Sequence, residues 1–465
     1  MNKGFNVSKF RKNVIGINQK VPVLKGKWVN YINLDNAAST PALKPILNHI
    51  EDFLAYYSGV HRGTGFKSLK SSHIYEQCHE NIGHFVGADM DKNTVIMVKN
   101  TTEAINKLSY RLAFLRGDIV LATLMEHHSN DLPWRNKALV KYVNIDQQGL
   151  LNMNDLENQL KAYYPRVKLV AVCGASNVTG HINDIHKIAE LAHQYKAKIL
   201  VDAAQLIAHK PIDVKPNHDP KHIDYLAFSG HKIYAPFGSG VLIGPKETFS
   251  KGAPEYVGGG TVSMVTLDKV YWSKLPNREE AGSPNVVGTY ALSKTLEYLK
   301  SLNMKQIEHY EQDLTIYALK KLQEVPSIII YGTTPRVGVI SFNIEDIHHS
   351  LVGSILCYEA GIGLRTGCFC AQPYVRKLLG ENVVEDHLKY YENNNINVIP
   401  GMVRISIGAY NTKEEIDYLV EWLKQISLKK NTFKRKYKFN PALSTYIPQG
   451  NENFRLLQRL ITSEN

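Results

Sequence analysis

Lys232 stands in the run Ser229-Gly230-His231-Lys232, directly after the apolar stretch Ile223–Phe228. Lysine prefers solvent, so one reading is a surface residue in a turn. A lysine at the buried end of a strand is partly desolvated, loses its proton more easily and can form a Schiff base with an aldehyde. Asp202 closes the stretch Lys198–Val201 in a comparable way. One reading is a helix cap. The other is the carboxylate that keeps the ring nitrogen of pyridoxal phosphate protonated, making the ring an electron sink. Asp202 and Lys232 lie about one strand unit apart, so one cofactor can bridge them.

Three further clusters carry polar chemistry. Asn100-Thr101-Thr102-Glu103 has the spacing of a capping box. Free N–H groups and hydroxyls at a helix start also form an anion site, which suits a phosphate. Glu126-His127-His128 follows the apolar run Ile119–Ala122. Neighbours on a strand point to opposite sides, and no other Cys/His spacing is present, so no metal site is expected. A flat histidine ring stacking on a cofactor ring is the better functional reading. Arg365 to Pro373 contains Cys368 and Cys370. Such a pair can be a metal fragment, a disulfide or two buried thiols. A nearby arginine favours a thiolate, and the Gly and Pro flanks place the pair on a loop. In an extended segment the two thiols would face one side, allowing sulfur exchange between them.

The elements that must position these residues follow from the hydrophobic pattern. Short apolar runs at Thr94–Val98, Ile119–Ala122, Val167–Val172, Lys198–Val201, Ile223–Phe228 and Gly240–Ile243 read as strands. Helical spacing at Thr101–Leu115 and Ile185–Tyr195 alternates with them. That alternation predicts an α/β fold with a mostly parallel sheet covered on both faces. Ligands bind such sheets at the carboxyl ends of the strands. The tract 251–289 is rich in Gly and Pro and reads as long ordered loops. Helices near Tyr290–Lys300 and Ile307–Gln323, then strands at Ser327–Tyr331 and Gly338–Asn343, predict a smaller α+β domain. The expected division is an N-terminal arm (1–30) packing with the small domain, a large cofactor domain (31–300), a small domain (301–428) and a basic extension (429–465). That extension reads as a solvated tail with one weak helix at Phe454–Ile461.

The 465 residues carry 55 Lys+Arg and 43 Asp+Glu, a formal net charge of +12, with 44% hydrophobic residues. This balance excludes disordered, collagen-like and coiled-coil classes. No apolar run approaches the ~20 residues of a membrane span. The positive charge is spread along the chain, so nucleic acid is not an expected partner. The first 34 residues hold seven Lys/Arg and no acid, yet only one Arg and one Ser, which favours a basic arm over a transit peptide. Five cysteines are too few for a disulfide scaffold and suit a reducing, cytoplasmic setting.

Taken in order, the motifs resemble one family. They run from Leu34-Asp35-Asn36-Ala37-Ala38-Ser39-Thr40 and Val60-His61-Arg62-Gly63 through Thr101–Asn106 and Met125–Asn130. They continue with Ser176–Gly180, Val201–Gln205, Ser229–Lys232, Glu280–Asn285, Arg365–Pro373 and Arg404-Ile405-Ser406. The chain resembles the fold-type I, class V pyridoxal phosphate enzymes of the cysteine desulfurase and selenocysteine lyase group. The resemblance implies a seven-stranded-type sheet in the large domain and a homodimer. It implies Lys232 as the Schiff-base lysine, Asp202 as the ring-nitrogen partner and His127 as the stacking histidine. Gln205 and Asn177 would meet the phenolic oxygen. Thr102, Ser229 and His231, with Thr101 beside them, would hold the phosphate, completed by Ser283 from the second subunit. Arg404 would grip the substrate carboxylate, with Ala37, His61, Asn177 and Arg365 also lining the substrate site. Cys370 would be the nucleophile.

The implied reaction converts L-cysteine to L-alanine and leaves a persulfide on Cys370 for a sulfur-acceptor protein. Lys232 would move the α-proton, with His127 shuttling a proton. Selenocysteine lysis, aminotransfer and epimerisation are the alternatives on the same cofactor, and a non-catalytic binding protein is the distant one. The short spacing from Arg365 to Cys370 resembles the desulfurase branch that relies on a separate sulfur-acceptor protein, but Cys368 and Phe369 stand where that branch usually has two histidines. Its Cys-Phe-Cys run is similar to the desulfurase domain of molybdenum cofactor sulfurases. Ser283 replaces a usual threonine, and Val262-Ser263-Met264 replaces an acidic-apolar run.

Overall fold

A computed structural model describes residues 5–24, 26–380, 400–450 and 462. The predicted helix at 454–461 lies outside the described residues. Seven strands form the central sheet: β1 (Asn93–Val98), β2 (Ile119–Thr123), β3 (Leu139–Val143), β4 (Val167–Cys173), β5 (Lys198–Asp202), β6 (Tyr225–Ser229) and β7 (Gly240–Pro245). Their order across the sheet is β3-β2-β4-β5-β6-β7-β1. The pairs from β3 to β6 are all parallel, and only β7 runs against its neighbours.

Side chains alternate across this sheet and both faces are dry. Val170, Val172, Ile199, Val201, Leu226 and Phe228 join one core. Leu169, Ala171, Leu200, Tyr225 and Ala227 join the other. A strand buried on both faces has no reason to carry polar residues along its length, so the polar ones gather at its end. The helix Thr101–Arg111 (α1) starts directly after β1. Asn100 caps it, its Oδ1 accepting the Glu103 N–H at 2.9 Å. Gly240, at the start of β7, passes so close to Asn100 that a β-carbon there would sit 2.5 Å from the Asn100 Cα. That approach brings the start of α1 beside the end of β6.

A second core surrounds a four-stranded antiparallel sheet: β8 (Ile328–Tyr331), β9 (Val339–Ile344), β10 (Arg365–Gly367) and β11 (Met402–Ser406), in the order β8-β9-β11-β10. Helices Met304–Leu322 and Lys413–Leu428 supply much of its apolar cover. The N-terminal segment divides between the two cores. Phe10 packs in the first and Leu24 in the second. Arg11 ties helix Val7–Lys12 to Glu415 at 2.6 Å.

Two expectations need correction. The tract 251–289 is not all loop: Val262–Val265 and Val270–Trp272 pair as an antiparallel hairpin. The basic segment after 428 is not a solvated tail through residue 450. It forms helix Lys430–Lys436 and a hairpin, Tyr437–Asn440 with Thr445–Pro448. Phe433 and Tyr437 bury in the second core, and Lys436 pairs with Glu359 at 2.6 Å. The count of cations hid the two aromatic anchors between them.

Candidate active site

One cavity of about 390 Å³ opens at the carboxyl ends of the parallel strands, between the two cores. Each strand end contributes a polar group. After β2 comes His127, after β4 Asn177, at the end of β5 Asp202, at the end of β6 Ser229, and after it His231 and Lys232. Thr101 and Thr102 enter from the start of α1. From the small-domain side come Arg404 on β11, Arg365 on β10 and the loop residue Cys370, while Ala37 and Gln205 close the floor. The adjacent strands β10 and β11 place Arg365 directly opposite Arg404.

Burial sets the ionisation of these groups. The Lys232 ammonium is fully desolvated, which lowers its pKa to about 8 despite the attraction of Asp202. Burial also raises Asp202 above the usual carboxylate range. One Asp202 oxygen accepts the Ala204 N–H at 2.9 Å. Among the described residues no other hydrogen bond holds the carboxylate, so its free oxygen needs a donor from a bound group. His127 is lowered to about 3, first by burial and then by Lys232, so the ring is neutral. Its Nδ1 accepts the Ser129 N–H at 3.1 Å, which fixes the ring plane. Ser129 in turn bonds Thr102 at 2.7 Å, and Ser229 bonds Thr101 at 2.7 Å. These hydroxyls and the start of α1 make an anion cradle.

The opposite wall is cationic. Arg404 is buried, and burial lowers its pKa to about 10. Its guanidinium donates to the Asn177 carbonyl at 3.0 Å and to Asp35 at 3.1 Å, and lies 4.8 Å over the Phe369 ring. Its Nε–H is buried without a partner among the described residues, so the fork has donors to spare for a carboxylate. Arg365 is half exposed and donates twice to the other Asp35 oxygen, at 2.9 and 3.1 Å.

The aminotransferase class-V family profile matches residues 32–419, a span that holds every group in this cavity. This chain belongs to the class-V aminotransferases. A cysteine desulfurase of Klebsiella pneumoniae (strain 342) is 34% identical over 432 residues, covering 91% of this chain and 98% of that one. A cysteine desulfurase of Escherichia coli O8 is 35% identical over 404 residues, covering 84% and 92%. The apo structure of cysteine desulfurase from Thermococcus onnurineus NA1 superposes with a TM-score of 0.79 at 31% identity, covering 90% of this chain and 98% of that one. The S-sulfonic acid form of an Escherichia coli cysteine desulfurase gives 0.77 at 29%, covering 92% and 100%.

In this class-V chain, two expected site residues lie outside the cavity. His61 and Ser283 line a separate surface cavity of about 370 Å³, with Arg62 and Gly260. His61 sits on the loop before helix Phe66–Phe85, its N–H held by Ser72. Within one chain it does not reach the substrate wall. Arg365 lines the same cavity as Cys370, with its Nε and Nη2 donating to Asp35. Cys368 and Cys370 do not lie on an extended strand. Phe369 and Cys370 have φ of 52° and 55°, and the Ala371 N–H returns to the Cys368 carbonyl at 2.9 Å. The same-side argument for sulfur exchange therefore falls.

Two members of the site carry no role in the sequence reading. Asp35 bridges both arginines, and its signal was its place in the Leu34–Thr40 motif. Glu126 is fully buried and pushed up to about 8 by desolvation. It accepts Thr123 Oγ1–H at 2.6 Å, the Cys173 N–H at 3.0 Å and Asn130 Nδ2–H at 2.7 Å, stapling β2 to β4 beneath His127.

Proposed function

We propose that this protein is a pyridoxal phosphate-dependent cysteine desulfurase, converting L-cysteine to L-alanine and passing the sulfur through a persulfide on Cys370 to an acceptor protein. The observation that carries it is one cavity lined by a desolvated lysine, a buried carboxylate with a free oxygen, a neutral histidine, a buried arginine and an exposed cysteine. The donor set fits the cofactor. Asp202 would pair with a protonated ring nitrogen, His127 would stack on the ring, and Asn177 and Gln205 would meet the phenolic oxygen. Thr101, Thr102, Ser229 and His231 would hold the phosphate. When bound, pyridoxal phosphate supplies an aldehyde for the amine and a ring that accepts electrons.

The protein groups then divide the work. Arg404 binds the substrate carboxylate through its spare donors, and Asp35 keeps the guanidinium aimed. Lys232, with its lowered pKa, takes the proton from the substrate α-carbon. Cys370 attacks the substrate sulfur as a thiolate. A sulfur–sulfur bond forms, the Cβ–sulfur bond breaks, and its electron pair stays on carbon. Protonation of Cβ yields alanine, so the step is redox-neutral. His127, neutral, would shuttle a proton in the cavity.

Ser283 supports a homodimer, because it cannot serve its own cavity. It lines a surface cavity with exposed Tyr57. The two sheets, one within 93–245 and one within 328–406, support a large cofactor domain and a smaller second domain. All five cysteines are free, in keeping with a cytoplasmic setting. No helix among the described residues is long and apolar enough to cross a membrane.

The test is product analysis with purified holoenzyme. L-cysteine is expected to give alanine and, with a thiol reductant, sulfide in equal amounts. Keto-acid or D-cysteine in place of alanine would assign aminotransfer or epimerisation. Turnover of L-selenocysteine alone would assign the lyase.

A further inference from the structure

Cys370 occupies the third position of a tight turn, residues 368–371. Two positive φ values in succession, at Phe369 and Cys370, make it a type I′ turn, a geometry that favours Gly and Asn. Each residue bearing a β-carbon there costs on the order of 1–2 kcal/mol. Such a turn persists only when its surroundings hold it.

Phe369 and Ala371 pack in the first core, and two further residues hold the turn's carbonyls. Asn177 Nδ2–H donates to the Phe369 carbonyl at 2.6 Å. The His128 backbone N–H donates to the Cys370 carbonyl at 2.7 Å. The His128 ring also accepts, at Nε2, the Gln372 N–H at 3.3 Å. His128 therefore grips the peptide on the far side of the nucleophile as well as its own carbonyl.

The ring contact answers a specific need. Gln372 opens helix Gln372–Leu379, whose cap residue Ala371 offers no side-chain acceptor. The first N–H groups of a helix have no partner within it. The His128 ring supplies the missing acceptor from another part of the chain. To accept at Nε2 the ring must be neutral with its proton on Nδ1. Burial holds His128 below the ordinary histidine range, which favours that form. His128 also follows His127 directly, at the start of the turn His128–Asn130. One short segment thus presents the cavity histidine and clamps the nucleophile turn.

We propose that His128 is a positioning residue for Cys370, fixing through its ring the turn that aims the thiol at the substrate sulfur. The proposal rests on the desulfurase reading. His128→Ala removes the ring acceptor, and His128→Gln restores one near the Nε2 position. Both are compared with wild type in the holoenzyme, by steady-state kinetics with L-cysteine and by the rate of Cys370 alkylation with iodoacetamide. For His128→Ala, an ångström-scale misplacement is expected to lower kcat about 10- to 100-fold, with KM within about twofold and alkylation changed by about threefold or more. The visible absorbance of bound cofactor stays as in wild type. His128→Gln recovers most of kcat and the alkylation rate. A His128→Ala enzyme with wild-type kcat and alkylation would overturn the proposal. So would cofactor loss in parallel with activity, or a His128→Gln enzyme as impaired as His128→Ala. If wild type releases no alanine, the desulfurase reading fails, while the alkylation comparison still decides the proposal.

Discussion

The two walls of the cavity are built on different principles. On the sheet side, Asp202 and Lys232 sit at the ends of fully buried strands, and their chemistry comes from desolvation. On the small-domain side, Cys370 is exposed on a turn with two unfavourable backbone conformations, and its placement comes from hydrogen bonds across the cleft. A strand end is fixed by the core beneath it, so its side chains stay aimed without local help. The turn has packing only beneath Phe369 and Ala371, and the carbonyls of Phe369 and Cys370 are clamped by Asn177 and His128. The sheet wall is therefore fixed by packing, and the Cys370 wall by packing together with hydrogen bonds across the cleft.

This contrast can be broken or sharpened experimentally. The largest effect is expected on the sheet side. Lys232→Ala should lower turnover by about 10⁴-fold, the upper range for a positioned acid–base group. It should also remove the visible absorbance of the lysine-bound cofactor, read directly by spectroscopy. A variant that keeps wild-type absorbance and turnover would move the chemistry away from β6.

Arg404→Lys tests the opposite wall. It keeps the charge but loses the planar fork that bonds Asn177, Asp35 and the substrate carboxylate. Charge-assisted bonds of about 1.5–3 kcal/mol correspond to roughly a 10- to 100-fold rise in KM for L-cysteine. An unchanged KM would detach Arg404 from substrate binding.

A third test uses pH. His127 titrates near 3 in the folded chain and near 6.5 when unfolded, so between these values the unfolded chain binds more protons. The stability tied to its neutral form is complete above pH 6.5 and is lost as pH falls toward 3. Urea unfolding of the apoprotein across this window should give a curve that His127→Gln flattens. Equal slopes would show that His127 is not desolvated.

The smallest effect is expected at Cys368. Burial raises its pKa, and its thiol donates to the Pro400 carbonyl at 3.5 Å. Cys368→Ser retains a donor, so stability should change by less than about 1 kcal/mol. Persulfide yield in the first turnover should match wild type. A large loss there would restore a sulfur-handling role to Cys368.

The sheet side was legible in the sequence because apolar strand runs ending in a polar residue mark both the element and its functional end. Asp202 and Lys232 follow that rule, His127 stands four residues past its strand, and Asn177 was read only through the family motif. The small-domain side was legible only as a motif. Nothing in Cys-Phe-Cys announces two left-handed residues, since the turn is imposed by partners more than 190 residues away in the chain, such as Asn177 to Phe369 (separation 192). Asp35 escaped for the same reason, its two arginines lying more than 300 residues off, at separations of 330 and 369. The basic run after 428 misled because charge was counted while the buried Phe433 and Tyr437 between the cations were not weighed.

The central claim is that sulfur leaves the substrate on Cys370. Mass spectrometry of peptides from protein exposed to L-cysteine, without reductant, tests it most directly. The account requires one added sulfur atom on Cys370 in wild type, and none in Cys370→Ser protein that still binds cofactor and L-cysteine. Added sulfur on Cys368 alone, or alanine release undiminished in Cys370→Ser, would contradict it.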